Sequence, residues 1–85
     1  MKIRDFEEAV YNVERVRIVV RAARGAQVEP YHYEAAYPQT NTVRAFLDGR
    51  VRPKIGGYEV SVIGPNGVGV PENTKVGSVR DLFEE

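Results

Sequence analysis

The sequence predicts an α+β domain: a small mixed or antiparallel sheet of three to four strands, one helix packed across it, and an additional N-terminal helix. Three observations carry this expectation. Residues 15–23, Arg-Val-Arg-Ile-Val-Val-Arg-Ala-Ala, alternate apolar and basic with strong strand formers throughout. Residues 31–37 alternate, with Tyr31, Tyr33, Ala35 and Tyr37 on one face. Two other stretches repeat apolar residues at the 3.6-residue helical period.

Residues 5–14 read as the first helix. Phe6, Ala9, Val10 and Val13 fall on one stripe, and Asp5 with Glu8 three residues later has the spacing of a capping box. Glu7 and Glu8 are neighbours on the helix and do not face one another, so they read as a solvated first turn rather than an acid–base or metal pair. The central strand follows at once. Val16, Ile18, Val20 and Ala22 point inward, and Arg15, Arg17, Val19 and Arg21 point outward. Arg24 to Gln27 form a turn around one glycine. Residues 28–37 are expected as a second strand, with Tyr31, Tyr33 and Tyr37 on one face and His32 and Glu34 on the other. Pro30 cannot donate a ladder hydrogen bond, which puts this strand at an edge or starts it after Pro30.

Pro38 to Thr42 form a loop ending in helix-cap residues. Val43, Phe46, Leu47 and Val51 then mark a second helix, which Gly49 ends early as a C-cap or Pro53 closes. Gly56-Gly57 is a turn before a strand over 58–63, with Tyr58, Val60 and Val62 inward. Gly64-Pro65-Asn66-Gly67 is a tight turn, Val68 to Val70 return as a short strand, and Ser78 with Asp81 caps a last short helical turn.

Thr42-Val43 opening a helix, the strand Glu59 to Ile63, the glycine-rich turn after it, and the closing stretch Asn73 to Asp81 resemble the second half of the ubiquitin-like β-grasp fold. The pattern covers about residues 16–83. The chain differs in its N-terminal helix, in lacking a long final strand, and in ending with Glu84-Glu85 rather than Gly-Gly. The resemblance therefore implies a compact scaffold that offers a sheet face to a partner, and not a conjugating or sulfur-carrying protein.

Composition narrows the function classes. At 85 residues the chain is expected to be one domain, 1–85. With 42% hydrophobic and 28% charged residues it is of ordinary globular composition. Twelve basic and twelve acidic side chains cancel, so the positive excess of a typical nucleic-acid binder is missing. There is no cysteine, which excludes disulfides, thiolate metal sites and a cysteine nucleophile, and which points to a reducing, cytoplasmic setting. The longest apolar run, Val16 to Ala23, is interrupted by arginines, so no membrane partner is expected. His32 is the lone histidine, and Ser61 and Ser78 lack a Gly-x-Ser-x-Gly context. The glycine-rich stretch 64–69 is not followed by Gly-Lys-Ser/Thr. No metal, cofactor or enzymatic chemistry is expected.

The candidate binding residues are therefore arginines and tyrosines. Arg15, Arg17 and Arg21 share one strand face, and Tyr31, Tyr33 and Tyr37 share one face of the expected neighbour. On a common face they make a platform suited to a protein partner or to stacked bases; on opposite faces the tyrosines are core and the arginines surface. Arg44, Arg50, Arg52 and Lys54 form a second basic group along the second helix and its exit, either complementing its dipole or meeting an acidic partner or a phosphate backbone. The expected function is a non-enzymatic protein-binding module, a regulator or inhibitor of a larger complex, of the kind phages use against host systems. It would act through a sheet face or edge, and the same edge could mediate homodimerisation. The alternative is a single-stranded nucleic-acid binder using the arginine–tyrosine face.

Overall fold

A computed structural model describes residues 1–83. Helix α1 (Ile3–Glu14) buries Phe6 and Val10 one turn apart, and Glu14 one turn further along the same stripe. The helix starts two residues before the expected cap. Asp5 lies inside its first turn, and Lys2 at the N-cap supplies no side-chain bond. The start is held from outside instead: the Met1 ammonium donates to the Val28 carbonyl at 2.8 Å, and Val28 N–H returns a bond to Met1 at 2.9 Å. The end is abrupt. Arg15 takes the left-handed conformation (φ 60°, ψ 25°) and its N–H donates to the Tyr11 carbonyl. One left-handed residue reverses the chain, so strand β1 (Arg17–Arg21) begins two residues later.

β1 pairs antiparallel with β2 (Glu59–Ile63), Arg17 opposite Ile63, Val19 opposite Ser61 and Arg21 opposite Glu59. Ile18, Val20, Val60 and Val62 are buried on the inner face. The expected phase of the first strand is thus correct over 17–21, but Arg15 is a helix cap rather than a strand residue. Tyr58 precedes β2 and is exposed, not inward.

The sheet has two strands, not the three to four of the expected β-grasp-like arrangement. Residues 28–41 run as an irregular strap without strand pairing. Pro30 and Pro38 interrupt its donors, and its other polar backbone groups bond elsewhere: Glu29 N–H to Lys54 and Ala35 carbonyl to Arg50. Residues 68–70 make only one bridge, Ile63 to Gly69, with bonds from Gly64 N–H to Val68 and from Val70 N–H to Val62. Pro71 ends that pairing.

Thr42 caps α2 (Val43–Phe46), its hydroxyl accepting the Ala45 N–H at 3.2 Å. The helix does not stop at Gly49. It passes through a π-helical turn (Leu47–Val51), in which Arg52 N–H reaches Leu47 C=O, into α3 (Arg52–Ile55). Pro53 explains the widened turn. It lacks the N–H that would bond Gly49 and would crowd that carbonyl in a regular helix. Gly56, at φ 67°, ends the helix. Helix α4 (Val76–Phe83) starts before Ser78 and is longer than the expected single turn. It is laced to the α2 entry by bonds from Val43 N–H to Thr74, Val76 N–H to Asn41 and Gly77 N–H to Gln39.

One core joins all of these elements, with Phe6, Ile18, Phe46, Leu47, Val62 and Val79 among its members. No helix among the described residues is long and apolar enough to cross a membrane.

Candidate functional site

Two arrangements matter. One is interior and centres on Glu14. This carboxylate is fully buried at the end of α1. Oε2 accepts from the Tyr31 hydroxyl at 2.5 Å and from Arg50 Nη1 at 2.6 Å. Oε1 accepts from Tyr37 N–H at 2.7 Å and from Arg80 Nη2 at 3.0 Å. Arg80 Nε also donates to the Glu14 backbone carbonyl at 2.7 Å. Two cations, a hydroxyl and an amide therefore satisfy one buried charge, which is what allows it to be buried. Burial first, and then the hydrogen bond and negative charge of Glu14, push the Tyr31 hydroxyl far above its ordinary pKa of 10.0, so it remains a donor.

The Arg50 guanidinium also lies 4.4 Å from the Tyr33 ring centre and 5.1 Å from that of Tyr37. His32 is exposed and stacks on the same Tyr33 ring, with the ring centres 5.1 Å apart. The three tyrosines are thus gathered by Glu14 and Arg50. Tyr31 is core, and Tyr33 and Tyr37 are half-buried against it. Their ring contacts are with Phe6, Phe46, His32, Arg50, Lys54 and one another; among the described residues none is with Arg15, Arg17 or Arg21, so the expected arginine–tyrosine stacking is not formed. Every donor and acceptor around Glu14 has a partner, and among the described residues no group of His, Asp and Glu is arranged to hold a metal.

The second basic group is divided. Arg50, swung inward by the π turn, belongs to Glu14. Arg44 and Arg52 flank Asp48, Arg44 at 3.8 Å and Arg52 in direct hydrogen bond, and Arg52 also reaches Glu72 at 3.3 Å. All three are ion-paired, so this helix presents no free basic row.

The other arrangement is the outer face of the sheet. Arg17, Val19 and Arg21 stand beside Ile63, Ser61 and Glu59. Arg17, Arg21, Glu59 and Ser61 are exposed, and Val19 and Ile63 are half-buried between them. Among the described residues no carboxylate lies within 4.0 Å of Arg15, Arg17 or Arg21. At the Arg17 end the face meets a groove lined by Tyr11, Arg17, Pro65 and Phe83, where Tyr11 and Phe83 pack edge to face at 5.9 Å.

Glu14 and Arg80 were outside the candidate set read from the sequence. A carboxylate in register with Phe6 and Val10 was the available signal. Arg80, 66 residues away in sequence, carried none. Compared with known protein families, curated proteins and solved structures, the chain matches none of them.

Proposed function

We propose that this chain is a binding module that engages another protein through the outer face of the β1–β2 sheet, acting by contact and not by catalysis. The observation that carries the reading is the division of the sheet. Its inner face is core, while its outer face presents two exposed arginines around a half-buried apolar centre, Val19 and Ile63. Apolar centres rimmed by arginine are the composition that protein interfaces favour. The polar cluster around Glu14 is enclosed and fully paired, so it supports folding rather than chemistry. A role as regulator or inhibitor of a larger complex fits a contact surface of this small size.

Val19→Lys tests the reading. It places a cation in the centre of the face and leaves the core untouched. Immobilised wild-type chain should retain a partner from lysate of its native cells that Val19→Lys loses at unchanged melting temperature. Arg44→Glu, away from this face, should retain it. Equal retention by Val19→Lys would overturn the proposal.

A further inference from the structure

We infer that the partner surface recognised by this face is acidic, carrying carboxylates for Arg17 and Arg21 beside an apolar side chain for the Tyr11–Phe83 groove. The inference rests on the sheet-face reading and adds the chemistry of the partner. Its basis is an unequal distribution of ion pairs that zero net charge conceals. The chain has nine arginines. Arg44, Arg50, Arg52 and Arg80 are each paired with a carboxylate. The remaining five, Arg4, Arg15, Arg17, Arg21 and Arg24, are all exposed and have no such pair among the described residues.

Arg4, Arg17 and Arg24 line adjoining grooves, and Arg21 lies on the same strand face as Arg17. Arg17 lines the Tyr11–Phe83 groove and also the seam between α1 and β1, which it shares with Arg4. Arg4 lines the adjoining groove together with Lys2 and Arg24. Two glutamates lie in the seam. Glu7 accepts the Val20 N–H at 2.9 Å and keeps its charge, so among the residues lining the seam and the adjoining groove two carboxylates stand against four cations. Arg21 faces Glu59 across the strands without forming an ion pair. A positive field of this kind steers an acidic partner and selects against a basic one.

The same geometry favours protein over nucleic acid. Stacking of bases needs aromatic rings beside the cations. Tyr31, Tyr33 and Tyr37 are withdrawn toward Glu14 and Arg50, and Tyr58 is a single exposed ring just before β2, which leaves Tyr11 and Phe83, packed on each other, beside Arg17. That pair offers a cleft for one apolar side chain rather than a platform for several bases.

Three fluorescein-labelled probes test this by anisotropy at low and moderate salt. One is a peptide of about a dozen residues, long enough to cross the two-stranded face, in which Glu alternates with Val and Phe. The second carries Lys in place of Glu, and the third is an oligothymidylate of similar length. The acidic peptide should bind the folded protein at least tenfold more tightly than the basic one. Arg17→Gln/Arg21→Gln, which removes both charges without setting a second carboxylate opposite Glu59, should keep the melting temperature and lose that binding by tenfold or more. No preference between the peptides, no binding of either, or tighter binding of oligothymidylate would overturn the inference, the last by assigning the arginines to phosphates. If the inference fails while Val19→Lys still abolishes capture, the sheet-face reading stands alone. If both fail, the face is not a binding surface.

Discussion

Glu14 binds four other residues through one side chain. Its carboxylate is the common acceptor for Tyr31, Tyr37, Arg50 and Arg80. Removing it leaves two mostly buried guanidiniums without a counter-charge, which costs about 3–5 kcal/mol. A domain of this length is stable by only about 4–13 kcal/mol. Glu14→Ala is therefore expected to lower the melting temperature drastically or to leave the chain unfolded by circular dichroism. A melting temperature near wild type would show that the cluster is not a determinant of the fold. Tyr31 gives a pH signature. Its hydroxyl titrates higher in the folded chain than its ordinary 10.0, so above that pH the unfolded chain releases a proton that the folded chain keeps. Stability from this group is complete below pH 10 and is lost as pH rises beyond it. Denaturant titrations across that range should show a steep alkaline loss that is shallower in Tyr31→Phe. Parallel profiles for the two proteins would contradict the assignment.

At the level of elements, close approach of backbones decides a position that composition does not. A Cβ built on Gly77 would lie 2.9 Å from Gln39 Cβ and 3.1 Å from the Gln39 carbonyl oxygen, where the α4 entry crosses the loop before α2. Gly77→Ala must push that loop away and break the Gly77 N–H bond to Gln39, at a cost of about 1–3 kcal/mol. Chemical denaturation should show that loss, and a neutral or stabilising substitution would mean that the loop yields freely. The helical stretch 43–55 shows the converse. Gly49 has ordinary room for a Cβ near Tyr37, and the conformation there is set by Pro53 four residues on. A sequence reading that treats Gly49 as a helix end misses how a π turn carries the helix past it, and with it the inward swing of Arg50.

For the molecule as a whole, neutral composition and polarised surface coexist. Among the described residues, ion pairing engages the arginines of the second half, while Arg4, Arg17, Arg21 and Arg24 form no such pair on the sheet face and the α1–β1 seam. That asymmetry is why the proposed partner carries the opposite charge. Periodicity made α1, the phase of β1, the apolar stripe of α2 and the strand β2 legible, because each is dictated by neighbours in the chain. The tyrosine alternation over 31–37 was equally regular and did not form a strand. Tyr31 and Tyr37 reach an acceptor 17 and 23 residues back, and the prolines leave the segment a poor ladder partner. The sequence by itself determined the apolar stripes of α1 and α2 and the inward faces of β1 and β2, since these follow from side-chain chemistry and local spacing. Only the tertiary structure decided where Tyr31, Tyr37, Arg50 and Arg80 go, because one buried carboxylate gathers donors from distant parts of the chain.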